Sequence, residues 1–312
     1  MKSRDRQLDG NNRFEVCASP CFSRQKTLKS GRKIGFTVEI GGITAEIFSK
    51  CHEPFLKSLR KKYEKFLSKN VPDVRLEIFS GKSGTASTKV TIDSSSGFYY
   101  ITCRKICGRI NYRTGTGKIY CSEKNPYTFD SFLRVLWTLY LARQSGMLVH
   151  AASVACRNSG LVFCGKSGSG KSTLAKAVMD RSTVNVLGDE IALLKRVRGK
   201  WWVFGTPFNG EHDAGMQSKK PLERIFFLEK SQYTGRNQVK SRSVNDFLRH
   251  VLFFCRDKNM VKKIFDLAAD ISAGIPFGCL CWPVKSSIAR CISARGLTSS
   301  AISGILCRRL GK

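Results

Sequence analysis

Gly165-Lys166-Ser167-Gly168-Ser169-Gly170-Lys171-Ser172 satisfies the pattern G-x-x-x-x-G-K-[ST] without a gap. Each residue type in it has a separate task. Glycines let the backbone curl so that successive N–H groups converge on phosphate oxygens, the lysine neutralises the β- and γ-phosphates, and the closing hydroxyl ligates Mg²⁺. The flanks agree with this reading. Leu161-Val162-Phe163-Cys164 predicts a short buried strand, and Ser172 to Met179 carries Leu174, Ala177 and Val178 at helical spacing. Strand, loop and helix N-terminus together make an anion site. The predicted nucleotide-binding set is Gly165, Lys166, Ser167, Gly168, Ser169, Gly170, Lys171, Ser172 and Thr173, with ATP and Mg²⁺ as its ligands.

Around this loop, 312 residues allow one large domain or two modest ones. No apolar run reaches the roughly 20 residues of a membrane span; the best, Val135 to Ala142, is interrupted by Thr138 and reads as core helix. The polar start, Met1-Lys2-Ser3-Arg4-Asp5-Arg6, leads into no apolar segment of a secretory signal, so a cytoplasmic location is expected. Thirteen cysteines occur singly, with none of the paired C-x-x-C spacing of a zinc site, and read as structural thiols. The formal net charge of +31 demands an acidic counterpart, whether nucleic acid, an anionic surface, an acidic peptide or the phosphates themselves. Between Phe55 and Leu67 the apolar residues form one helical face and leave the cations on the other.

Residues 1–33 lack periodicity and read as a poorly ordered basic leader. An α+β domain follows over 34–124. It comprises two strands about Gly41-Gly42, the basic helix, and strands at Val74–Phe79, Lys89–Ile92, Gly97–Cys103 and Gly108–Tyr112. Asn125-Pro126 opens a bridging helix over 125–146, closed by Gly146. From 147 to 312 the pattern alternates strand and helix: strands Met147–Ala155, Leu161–Cys164 and Val184–Leu187, a hairpin about Arg198-Gly199-Lys200, a strand Arg224–Leu228, helices Ser243–Cys255 and Val261–Ile271, and a last strand Phe277–Trp282.

Phosphoryl transfer also requires a metal-binding carboxylate and a group to handle the nucleophile. Asp189 and Glu190 follow Val184-Asn185-Val186-Leu187, which sets two carboxylates at a strand end, where open α/β sheets place ligands. One suits Mg²⁺ and the other a general base. Gly205-Thr206-Pro207-Phe208-Asn209-Gly210-Glu211 offers further oxygens on an irregular loop, and His150 lies on the strand before the loop strand.

This ordered set resembles the catalytic domain of HPr kinase/phosphorylase and its smaller relatives, over roughly Leu148 to Trp282. The resemblance implies a P-loop domain of the HPr kinase and phosphoenolpyruvate carboxykinase type behind a smaller α+β domain. The family's paired aspartates fall on Asp189 and Glu190, and its histidine falls on His150. Ser172, Asp189 and Glu211 would hold metal, and Asp189, Glu190 and His150 would be catalytic. Two positions depart from the pattern: Glu190 replaces the second aspartate, and Ala151 follows His150 in place of glycine. The implied activity is Mg²⁺·ATP-dependent phosphorylation of a serine on a protein or peptide. Charge alone, apart from the resemblance, makes the basic N-terminal region a docking surface for an acidic or extended substrate. Two other readings stand beside it: a nucleotide-gated binder of nucleic acid or another polyanion, and a carboxykinase-like enzyme acting on a small acid.

Overall fold

A computed structural model of the chain describes residues 33–81, 90–172, 174–175, 184–210, 215–231 and 242–283. All of the expected basic leader but Lys33, together with Thr173 and Glu211, lies outside the described residues. The fold is mixed α/β with two sheets.

Alternation builds the first sheet. β1 (Ile34–Ile40) buries Phe36, Val38 and Ile40, while β2 (Ile43–Ser49) buries Ile43, Ala45 and Ile47. β3 (Val74–Ser80), β4 (Thr91–Ser95), β5 (Phe98–Cys103), β6 (Ile106–Asn111) and β7 (Thr116–Cys121) complete a sheet of order β1-β2-β3-β7-β6-β5-β4. The pairs β2–β3 and β3–β7 are parallel; the others are antiparallel. The parallel step from β2 to β3 is bridged by α1 (Glu53–Lys62), which starts on Pro54 in its first turn and carries Arg60, Lys61 and Lys62 in its last. Its buried face is Phe55, Leu56 and Leu59, extended by Tyr63 and by Phe66 of a 3-10 turn.

α2 (Pro126–Arg143) is capped by Asn125, whose side-chain oxygen accepts the Tyr127 N–H at 2.9 Å. It ends at Arg143, short of the expected Gly146, which is instead the first residue of β8 (Gly146–Cys156). The reversal is made by Ser145, at φ 56°. Apolar residues surround α2 on nearly every side. Phe129, Phe132, Leu133, Leu136 and Trp137 are fully buried in a core that runs from the first sheet across the helix to Leu148, Ile191, Leu193 and Phe208.

β8 organises the second sheet with β9 (Ser159–Cys164), β10 (Val184–Gly188), β11 (Ile191–Val197), β12 (Lys200–Phe204), β13 (Lys219–Ser231), β14 (Val251–Leu252) and β15 (Phe277–Pro283). The first half of β8 pairs with β11 and β14, and its second half pairs with β9 and β10. β13 repeats the device, meeting β12 early and β9 and β15 later. The circuit β8–β11–β12–β13–β9 therefore returns to β8 and closes. Antiparallel pairs dominate it, with β13 parallel to β9 and β15, so the expected plain alternation of strand and helix is replaced by a mixed sheet. Helix α3 (Val244–Leu248) is a single capped turn, and α4 (Lys258–Gly274) packs beside it. The helix expected to reach Cys255 stops at Leu248 because Val251 and Leu252 pair with Val149 and Leu148 of β8.

Among the described residues no helix is long and apolar enough to cross a membrane. Seven described cysteines are buried free thiols and Cys51 is exposed; burial pushes the Cys121 thiol up to about 12.

Trp137 fixes the helix to the first sheet: it is fully buried and its indole N–H donates to the Ile40 carbonyl at 3.1 Å. Trp137→Ala is expected to cost about 3–5 kcal/mol in urea unfolding, and Trp137→Phe clearly less, because the phenyl ring refills most of the cavity. Equal costs would show that the hydrogen bond, not the packing, holds the helix.

Candidate functional site

The site occupies a polar gap between two apolar clusters on one face of β8. Leu148, His150 and Ala152 alternate onto that face. Leu148 belongs to the core around α2, while Ala152 belongs to a second cluster with Leu161, Phe163, Leu174, Ala175 and Val186. His150, half-buried, lies between them.

The glycine loop leaves β9 at Cys164. Gly168 (φ 72°) and Gly170 (φ 100°) take conformations that side chains resist, and the Ser169 N–H closes a turn onto the Lys166 carbonyl at 3.0 Å. Lys166, Ser167 and Gly168 are exposed at the rim, whereas Ser169 and Lys171 are buried. Helical backbone begins at Lys171 and Ser172, and the Leu174 N–H bonds to the Gly170 carbonyl at 2.8 Å. The Lys171 ammonium donates to the carbonyls of Gly165 (2.7 Å) and Lys166 (3.1 Å), so the loop is folded around its own cation. Burial lowers the Lys171 pKa, opposed by Cys164 and by Glu190.

Asp189 and Glu190 form the turn from β10 into β11. Asp189 is 2% exposed, and its Oδ1 accepts the Gly210 N–H at 2.8 Å. Glu190 is more open, with its side chain 33% exposed, and its backbone carbonyl accepts the Ala151 N–H at 3.0 Å. That bond, with the register Ile191↔His150, sets the acid pair beside His150. The 205–210 segment seals the turn from outside. The Thr206 hydroxyl donates to the Ile191 carbonyl at 2.7 Å, the Thr206 N–H donates to the Leu187 carbonyl at 3.1 Å, and Gly205 runs so close to the Met216 carbonyl that a β-carbon would collide with it.

The structure thus brings the glycine loop, Asp189, Glu190 and His150 to one neighbourhood, with the Thr206–Gly210 loop against it. It also adds groups that the sequence reading did not single out. Arg134 of α2 donates to the Glu190 carboxylate at 3.0 Å and to Asp130 at 3.0 Å, and stands over the Phe208 ring at 5.6 Å. Tyr63, which caps the end of α1, donates to Asp130 at 3.1 Å. His250 accepts the His150 N–H on its backbone carbonyl at 2.7 Å. A signal for Arg134 did exist: Asp130 and Arg134 are the only charged residues between Phe129 and Ala142, a stretch whose other polar side chains are Ser131 and Thr138, and a buried helix must partner its charges.

The donor set suits a Mg²⁺–triphosphate ligand. The Ser169 hydroxyl is buried with no partner among the described residues, and the Lys171 ammonium rests on carbonyls that a phosphate can outbid. Among the described residues no three His, Cys, Asp or Glu side chains converge on a metal position; Mg²⁺ at a phosphate site needs one or two carboxylates, waters and the phosphates.

No family model matches the chain, and no curated protein does. Among solved structures it is similar to the Hpr(Ser) kinase/phosphatase from Coxiella burnetii, at 13% identity and a TM-score of 0.33 over 53% of this chain and 99% of that one. A likeness at that level carries no argument about activity.

Burial lowers the His150 imidazole below its ordinary value, and Lys171 lowers it further against the opposing Glu190. Burial, then His150 and Lys171, push His250 down to about 4. Both rings are neutral in the folded protein at neutral pH, whereas the unfolded chain binds protons below the ordinary value of 6.5. Stability is therefore full above pH 6.5 and declines as pH falls toward 4. His250 alone is expected to contribute about 1–2 kcal/mol of that loss after solvent screening. Urea titrations from pH 7 to 4 should show a shallower decline for His250→Gln than for the wild type; parallel curves would contradict the assignment.

Proposed function

We propose that the protein is a Mg²⁺·ATP-dependent phosphotransferase that moves the γ-phosphoryl group to a serine hydroxyl of a protein or peptide. The observation that carries this reading is the placement of the Gly165–Ser172 loop and the Asp189–Glu190 turn on one face of β8, with Lys171 and Glu190 in each other's field. A loop that only binds Mg²⁺·nucleotide needs one carboxylate for the ion; a second acid beside it is what transfer to a hydroxyl adds.

ATP is the phosphoryl donor, and Mg²⁺ supplies charge shielding for its phosphates. The backbone amides of the loop and the Lys171 ammonium grip the β- and γ-phosphates. The Ser172 hydroxyl and Asp189 are the groups to hold the ion. Glu211 would join them in this proposal, although its placement lies outside the described residues.

Exposure separates the two acids. Asp189, nearly closed off and spending one oxygen on Gly210, holds the 205–210 loop in place. Glu190, open to an incoming group, takes the hydroxyl proton as the serine oxygen bonds to phosphorus and the bond to the β-phosphate oxygen breaks. His150, neutral at physiological pH, orients Glu190 or the acceptor. The excess of lysine and arginine, +31 overall, favours an acidic or extended acceptor.

Incubation with γ-labelled ATP and a panel of acidic serine peptides is expected to place label on serine. Glu190→Gln should reduce the rate by about 10²–10⁴-fold while nucleotide still binds. Release of label solely as inorganic phosphate, at equal rates in both proteins, would overturn the phosphotransferase reading.

A further inference from the structure

Arg134 is the point where three parts of the chain meet. It projects from α2, the helix between the two sheets. Its Nε donates to Asp130 Oδ2 at 3.0 Å, one turn earlier on the same helix. Its Nη2 donates to Glu190 Oε2 at 3.0 Å and to the Asn209 carbonyl at 3.4 Å. Asp130 is in turn held by the Tyr63 hydroxyl at 3.1 Å and approached by Lys62 at 3.7 Å, both at the end of α1. The side chains become progressively more open along this line, from 4% for Asp130 through 21% for Arg134 to 33% for Glu190.

Such a chain has a direction. Asp130 is the buried end: burial raises its carboxyl above the ordinary value despite Arg134 and Lys62. Burial alone would lower the Arg134 guanidinium, but Asp130 and Glu190 outweigh it and hold the cation firmly charged. Asp130 therefore anchors the guanidinium through Nε, and Nη2 is left to fix Glu190. A guanidinium offers donors in a rigid planar fork, so two carboxylates bonded to its Nε and Nη2 lose most of their rotational freedom. Charge matters as much as position. A triphosphate in the Gly165–Ser172 loop would enter the field of the Glu190 anion, and Arg134 is the cation that offsets it.

We propose that Arg134 is a positioning residue for Glu190, holding its carboxylate beside the glycine loop and cancelling its charge so that the loop accepts a triphosphate. The inference rests on the phosphotransferase reading of that loop. It also gives the first domain a part in the site, because Tyr63 and Lys62 secure the Asp130 that secures Arg134.

A double-mutant cycle on Mg²⁺·ATP affinity, measured by calorimetry on the full chain, tests it. Arg134→Gln is expected to weaken binding roughly tenfold in the wild-type background, about 1.4 kcal/mol, while Arg134→Lys, which keeps the charge, retains most of the affinity. In the Glu190→Gln background the same Arg134→Gln change should alter affinity less than about twofold, because no anion remains to be offset. Both backgrounds lose the Asp130 partner alike, so general damage to the helix cancels in the cycle. An equal loss in both backgrounds, or no loss in the wild type, overturns the role of Arg134 and leaves the phosphotransferase reading standing. A wild-type protein that binds no Mg²⁺·ATP overturns both.

Discussion

The hydrogen bonding of β8 along both of its edges is the constraint on which the rest of the structure depends. One strand serves two sets of neighbours: β11 and β14 beside its first half, β9 and β10 beside its second. The changeover falls at His150 and Ala151. Ala151 pairs with Cys164, the last residue before the glycine loop, and its N–H also bonds to the Glu190 carbonyl. The loop and the acid turn therefore reach the same place from different strands because one short piece of backbone registers them both. A shift of a single residue would turn His150 and its neighbours to the opposite face of the strand.

Desolvation determines how that place is used. Two apolar clusters close in from either side along β8, and the polar groups between them must find partners or pay several kcal/mol each. Lys171 meets this by bonding to loop carbonyls, Asp189 by accepting an N–H, and Glu190 by pairing with Arg134. These partners are exchangeable to different degrees. In the proposed triphosphate complex the loop carbonyls would give way to phosphate, whereas the Arg134 fork, anchored by Asp130, would stay. The arrangement combines a cation that can change partners with an anion that cannot drift.

Much of this was legible in the sequence, for reasons that differ by element. The glycine loop could be read because its backbone geometry is dictated locally, by Gly168 and Gly170 at positive φ. β1, β2 and β3 could be read because inward positions are apolar and outward ones polar. β7 was missed: Thr116-Gly117-Lys118 has glycine at an inward position, where a larger residue would strike Ile110 and Leu76, so the apolar alternation disappears. The run Val251 to Cys255 looked helical beside Phe247 and Leu248, but pairing with β8 took its first two residues as strand. Arg134 escaped notice because Asp130 and Arg134 at i,i+4 also describe an ordinary solvent-facing pair; only burial of the whole helix separates the two cases. The convergence of His150 on the acid turn depends on long-range register, which local patterns do not encode.

Calorimetric titration of Mg²⁺·ATP into the wild-type protein and into Lys171→Ala bears most directly on the central claim that the loop beside β8 is a working triphosphate site. The account predicts saturable binding by the wild type and a loss of at least tenfold in affinity when the Lys171 ammonium is removed. Equal affinity in the two proteins, or no binding by a folded wild type, would contradict it.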